Sequence, residues 1–253
     1  MKFVRFLYQD EPRFALVKHD RVVLLEGSPF TAYAETSVTY EVGEVHLCAP
    51  CEPSKVVCIG LNYRDHALEC NLPIPDSPII FMKPSGTVIG PGDAVVHPAL
   101  SGRVDYEGEL AIVIGKQASK VSEEAAHEYI LGYTCANDVT ARDLQPPKGQ
   151  WTVSKSFDTF CPLGPVITDE IDPDQVDITT KLQGRVVQSS NTRNLIFKPA
   201  FLVSYISQVM TLYPQDVIIT GTPSGIGPMK PGDVVEVHIA GIGVLKNRVV
   251  GER

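Results

Sequence analysis

The chain has 253 residues, 43% hydrophobic and 21% charged, the composition of an ordinary globular protein whose core is large enough to need no covalent staple. A formal net charge of −8 excludes nonspecific binding to nucleic acid, which needs a cationic surface, but leaves a small anionic substrate open. No run of about 18 apolar residues exists, so no membrane span is expected. The opening Met1-Lys2-Phe3-Val4-Arg5-Phe6 resembles no signal peptide, and a reducing cytoplasmic home is the expectation.

Residues 1–50 read as short strands and turns. Arg13–Val17 and Arg21–Leu25 flank His19-Asp20 as a hairpin. The segment from Cys48 to Pro53 holds two prolines and marks a boundary between a small N-terminal domain, 1–50, and a larger one, 51–253. Lys55–Gly60 reads as a buried strand, and Asn62 to about Cys70 as a helix with Tyr63 and Ala67 on one face. Residues 71–78 hold three prolines and are expected to form a mobile loop. Strand signals dominate afterwards: 79–82, 94–97, 110–114, 130–136, 217–220, 234–239 and 244–250. Gln183-Gly184 reads as a two-residue hairpin turn. Two helices are predicted, one at 123–130 capped by Ser122, and one at 200–212 with Leu202, Ile206, Val209 and Met210 at helical spacing. Many short strands and few helices give a mainly β (α+β) chain, a sandwich or rolled barrel.

Six cysteines are present: Cys48, Cys51, Cys58, Cys70, Cys135 and Cys161. Only Cys48 and Cys51 have metal or redox spacing. No second Cys/His pair completes a zinc site and a proline-rich stretch follows, so ordinary thiols are expected.

The richest stretch is Asp105-Tyr106-Glu107-Gly108-Glu109-Leu110. On a strand, residues two apart share a face, which sets the Glu107 and Glu109 carboxylates side by side. Two readings stand at this point. Either the pair is solvated on an edge strand, or a hard divalent cation lies between the two. Asp138, at the end of an apolar strand, is a third acidic candidate, and Asp143 and Arg142 have each other as possible partners.

These stretches resemble the fumarylacetoacetate hydrolase superfamily. The likeness is carried, in order, by Gly60–His66, Glu107–Leu110, Asn137–Asp143, Lys155–Asp158 and Thr220–Gly227, and spans about residue 55 to the C-terminus. It implies a mixed β-sandwich roll with a smaller N-terminal domain, and a homodimer. It also implies that Glu107, Glu109 and Asp138 hold magnesium or manganese. The closest likeness is to small members acting on acylpyruvates, oxaloacetate and hydroxy-diene-dioates. Leu61 stands where acylpyruvase-like relatives often carry arginine.

Other roles follow the same likeness. His66 and Glu69 lie three apart on a helical stretch, which makes them either an exposed helical pair or an acid–base pair. The resemblance implies the dyad, on a lid that orders over ligand. Lys155 is either a solvated lysine or, as the resemblance implies, a cation opposite developing negative charge. Arg142 and Gln145 are candidates for contacts to substrate oxygens. The loop 220–227 is either a tight turn or an anion cradle, in which the resemblance implies that Thr222 binds the substrate carboxylate.

The expected substrate is a small 2-keto acid, whose carboxylate and carbonyl chelate a metal that withdraws electrons as an enolate forms. Carbon–carbon cleavage ranks first, by acylpyruvate hydrolysis or oxaloacetate decarboxylation, because His66/Glu69 supplies a base for water. Tautomerisation or double-bond isomerisation ranks second. A metal-binding protein with a dead site predicts a missing acid–base residue, and both are present.

Overall fold

The computed structural model describes residues 1–69 and 71–252; the Cys70 end of the predicted helix lies outside them. Its frame is an 11-stranded sheet. The strand order is Tyr33–Glu41, Arg21–Gly27, Glu11–Lys18, Lys2–Tyr8, Cys161–Thr168, Ile130–Asn137, Gly108–Ile114, Val217–Ile219, Val56–Gly60 and Ile79–Lys83, with Val88–Ile89 paired off this path. A five-stranded sheet runs Arg185–Asn191, Asp177–Leu182, Val234–Ile239, Gly243–Gly251 and Ala94–His97. A three-stranded sheet joins Thr140–Ala141, Val104–Tyr106 and Gly227–Met229. The architecture is the mainly β sandwich the sequence predicts.

Alternation along Gly108–Ile114 explains the layering. Leu110, Ile112 and Ile114 face one way, onto Val237, Ile239 and Leu245 of the five-stranded sheet and onto Leu202, Val203 and Ile206 of the helix Pro199–Val209. Ala111 and Val113 face the other way, with Leu163, Val217, Ile219 and Phe81. Every residue of Gly108–Ile114 is buried, as expected of a central strand covered on both faces. The four N-terminal strands form an antiparallel meander stitched to the large sheet by Lys2 opposite Thr168 and Phe3 opposite Ile167.

Several local expectations hold. Gln183 and Gly184 both take positive φ between Asp177–Leu182 and Arg185–Asn191, which the right-handed twist of a tight hairpin requires. His19, also at positive φ, turns the chain from Glu11–Lys18 into Arg21–Gly27. The helix Arg64–Glu69 forms, with Tyr63 and Ala67 buried, and residues 71–78 carry no regular element.

Two expectations need correction. Residues 123–130 form no α-helix. Ser122 Oγ accepts only the Ala125 N–H, and a 3-10 turn covers Ala126–Tyr129 before Ile130 enters a strand. The sheet claims Ile130 and Leu131, leaving too few residues for helical propagation. The other helix, expected over 200–212, spans Pro199–Val209, and Val209 at its end is 63% exposed rather than part of the buried face.

Candidate active site

Glu107 occupies the break where the chain leaves the three-stranded sheet at Tyr106 and enters the large sheet at Gly108. It is therefore not on one continuous strand with Glu109, yet the two carboxylates still converge. Gly108 lies opposite Asn137 across the strand pair, and the Asp138 N–H donates to the Glu107 carbonyl at 2.8 Å. Asn137 accepts the Glu107 N–H through Oδ1 at 2.9 Å. These bonds bring Glu107, Glu109 and Asp138 together, all buried, with one carboxylate oxygen from each within 4.8 Å of the others. The edge-strand reading of two solvated carboxylates is thereby overturned.

The five-stranded sheet packed against this strand demands glycine at 108. A Cβ there would lie 2.1 Å from Thr180 Oγ1. Its backbone N–H donates to Gln188 Oε1 at 3.0 Å. Gln188 Nε2 donates to Thr222 Oγ1 at 2.8 Å, and the Thr222 hydroxyl donates to the Gly108 carbonyl at 3.0 Å. Gln188 is thus a buried brace beneath the site that the polar run of its strand does not announce.

Cations surround the carboxylates unevenly. Lys155, last residue of the short helix Thr152–Lys155, places Nζ 3.0 Å from Glu107 Oε2 and 2.7 Å from Asp138 Oδ2. Lys83 Nζ lies 2.7 Å from Asp138 Oδ1, an ion pair without hydrogen-bond alignment. Arg142 donates through Nη2 to Glu107, through Nε to Asp105 Oδ2 at 2.9 Å and through Nη1 to Gln145 Oε1 at 2.5 Å. Arg142 therefore does not pair with Asp143, which instead accepts from Ser101 and the Gly102 N–H. Among the described residues no salt bridge reaches Glu109. It accepts the Gly221 N–H at 2.5 Å.

Electrostatics follows this layout. Burial works to raise the Glu107 carboxyl, but Lys155 and Arg142 outweigh it and hold the group well below the usual carboxylate range. Glu109 is pushed well above that range, by burial first and then by the charges of Asp138 and Glu107. Burial disfavours the Lys155 ammonium, yet Asp138 and Glu107 more than offset this and raise its pKa.

The triad fits a hard divalent cation. All three donors are carboxylates, Asp138 Oδ1 is buried and ion-paired to Lys83 without an aligned hydrogen bond, and Glu109 has no salt-bridge partner among the described residues. The described cysteines are free thiols and join no such cluster.

Above the triad opens a cavity of about 200 Å³. His66, Arg142, Gln145, Lys155 and Thr222 line it with the three carboxylates. Ile59, Leu61, Leu72, Phe81 and Trp151 make its apolar wall, where Trp151 packs over Gly60; a Cβ at 60 would lie 2.7 Å from the indole. Glu69 does not line the cavity but holds His66 Nδ1 through Oε2 at 2.9 Å, while its Oε1 accepts the Gly225 N–H at 2.9 Å. The glycines of loop 220–227 thus direct backbone N–H groups at the chain's own Glu109 and Glu69. Glu107, Glu109, Asp138, His66, Lys155, Arg142, Gln145 and Thr222 gather at this one site, with Glu69 behind His66. Lys83 was missed, although Phe81 and Lys83 lie two apart on Ile79–Lys83, which points the lysine to the same side as a wall residue.

Comparison with known proteins agrees with this geometry. A family model described as Rv2993c-like, N-terminal matches residues 1–50. A protein of Archaeoglobus fulgidus is 58% identical over 206 residues, 81% of this chain and 82% of its own. The mitochondrial oxaloacetate tautomerase FAHD2A of Bos taurus is 40% identical over 259 residues, 98% of this chain and 79% of its own. The crystal structure of 5-carboxymethyl-2-hydroxymuconate delta-isomerase from Mycobacterium smegmatis superposes with a TM-score of 0.93 at 41% identity, covering 100% of both chains. With the fumarylacetoacetate hydrolase C-terminal model matching residues 55–250, the chain belongs to the fumarylacetoacetate hydrolase family.

Proposed function

We propose that this chain moves a proton on a small 2-keto acid, as an enol–keto tautomerase or double-bond isomerase that needs a divalent cation, magnesium or manganese, at Glu107, Glu109 and Asp138. The observation that carries the reading is His66 on the wall of the cavity whose floor is that triad. When bound, the cation supplies Lewis acidity toward the carboxylate and carbonyl of such a substrate.

The remaining chemistry belongs to the chain. Glu69 accepts from His66 Nδ1, which leaves the basic lone pair on Nε2. Nε2 takes the proton from the carbon next to the carbonyl, giving an enolate and an imidazolium that Glu69 stabilises. Returning that proton to oxygen gives the enol, and to a more distant carbon the isomer. No bond between heavy atoms breaks. Lys155 and Arg142 set positive charge at the cavity wall as the enolate forms. Trp151, Leu61 and Leu72 give the reacting carbons an apolar wall.

This order reverses the one expected from sequence, in which carbon–carbon cleavage came first. Relatives named tautomerase and isomerase, at 40% and 41% identity over nearly the whole chain, favour proton transfer alone. The working unit is proposed to be a homodimer.

The test is absorbance and product mass with enol-oxaloacetate and a 2-hydroxy-diene-dioate, with magnesium and with EDTA, beside His66→Ala. A spectral change at constant mass, lost with EDTA and in His66→Ala, is expected. Release of pyruvate would return the reading to cleavage. Full activity in EDTA would remove the cation from it.

A further inference from the structure

Two lysines flank Asp138, and they are held in different ways. Lys83 has no exposed surface, and its ammonium donates to the Val139 carbonyl at 2.9 Å and the Lys155 carbonyl at 2.7 Å. Its Nζ also lies 2.7 Å from Asp138 Oδ1, an ion pair without hydrogen-bond alignment. The ring of Phe160 closes over it at 5.7 Å. An ammonium has three N–H bonds, so those on the two carbonyls fix this one in place. It ties three segments together: the end of Ile79–Lys83, the turn at Asp138-Val139, and the end of the helix Thr152–Lys155.

Lys155 is held by carboxylates alone. Its Nζ bridges Glu107 Oε2 and Asp138 Oδ2, over the face of Phe81 at 4.9 Å. No backbone carbonyl anchors it among the described hydrogen bonds. Both of its carboxylate partners belong to the triad. A divalent cation that takes oxygens from Glu107 and Asp138 competes with this ammonium for the same negative charge.

We propose that the two lysines have separate tasks: Lys83 is a permanent positioning residue that orients Asp138 and seats the helix presenting Lys155, while Lys155 is the cation that yields when a divalent ion enters the triad. The yielding side chain turns along the cavity wall toward bound substrate. The proposal rests on the metal reading of the triad.

The test is isothermal titration of the full chain with magnesium alone, for wild type, Lys83→Met and Lys155→Met. Lys155→Met removes a competitor and binds magnesium about tenfold more tightly. Lys83→Met loses the support of a ligand and binds about ten- to a hundredfold more weakly. Nitrogen-15 spectra of the lysine ammonium groups provide a second readout taken on wild type, the signals assigned from whichever one of the two variants is soluble. Magnesium should move the Lys155 signal and leave that of Lys83 in place. Magnesium binding in wild type with Lys155→Met unchanged or weaker, with Lys83→Met losing only thermal stability, or with the Lys83 signal moving instead would overturn the division of tasks. No magnesium binding in wild type would overturn the metal reading itself, and this proposal with it.

Discussion

The Asp138 N–H donates to the Glu107 carbonyl at 2.8 Å, so two of the three clustered carboxylates are neighbours just past the end of one strand pair, set by the register that puts Gly108 opposite Asn137. Glu109, two residues further on, meets no salt-bridge partner among the described residues and is driven toward its neutral form by burial and by the charges of the other two, against the weaker pull of Lys155. A neutral Glu109 has nearly the shape and polarity of glutamine. Glu109→Gln should therefore melt within a few degrees of wild type in EDTA. The two should part when magnesium is added. A ligand at a hundred times its Kd stabilises by about 2.7 kcal/mol, and the variant should gain almost none of this. Equal magnesium-induced shifts in Tm would remove Glu109 from the metal site.

Glu69 divides its two oxygens between His66 Nδ1 and the Gly225 N–H, so it joins the helix Arg64–Glu69 to the loop after Val217–Ile219. Its replacement by glutamine keeps an acceptor for one of these partners and removes the charge that stabilises an imidazolium. Glu69→Gln should lower kcat roughly tenfold to a hundredfold with little change in KM, whereas His66→Ala should cost about 10²- to 10⁴-fold, the usual span for a positioned acid–base group. A rise in KM alone in either variant would assign the pair to binding.

How much of this was legible beforehand depends on the range of each signal. Residue type and spacing set Glu107 beside Glu109 and His66 beside Glu69, but left solvated readings open; the family resemblance implied their roles and joined Asp138 to the glutamates, while the Gln183-Gly184 turn was readable because both residues act locally. The switch between sheets at Glu107 was not readable, since which partner a strand pairs with is a non-local choice. Lys83 lies one residue beyond the strand expected at 79–82, and only the folded chain shows its ammonium on Val139 and Lys155 carbonyls. Gln188 was invisible for the same reason, its partners Gly108 and Thr222 lying far away in sequence. The Ser122 helix signal was real but local, and the sheet overrode it at Ile130.

Gly108 offers a test of the packing under the site. A methyl group there meets Thr180 Oγ1 at 2.1 Å, and that hydroxyl is buried without a hydrogen-bond partner. Gly108→Ala should destabilise by about 1–3 kcal/mol, as overpacking does. Thr180→Ala alone should be close to neutral, since it removes an unsatisfied group. The double variant should recover much of the loss, because the contacts that remain, Gln188 Oε1 at 3.3 Å and Thr180 Cβ at 3.4 Å, ask only a few tenths of an ångström of adjustment. Simple additivity in urea unfolding would show that the strain lies elsewhere.

The buried thiols predict an alkaline limit. Burial raises Cys51, Cys58 and Cys135 well above the ordinary value of 9.0 and pushes Cys161 up to about 12. In the unfolded chain these thiols ionise near 9; in the native chain they stay protonated. Above pH 9 the native state thus binds more protons than the unfolded state, and stability falls as pH rises. The slope is about 1.4 kcal/mol per pH unit for each thiol and about 5 for the four together. Urea unfolding between pH 8 and 11 should show a steep loss beginning near 9. For Cys161→Ala the slope should be shallower by one proton. In native protein at pH 8, half-buried Cys48 should react with a thiol reagent faster than these four. An unchanged slope in Cys161→Ala would mean that this thiol ionises as readily in the folded chain as in the unfolded one.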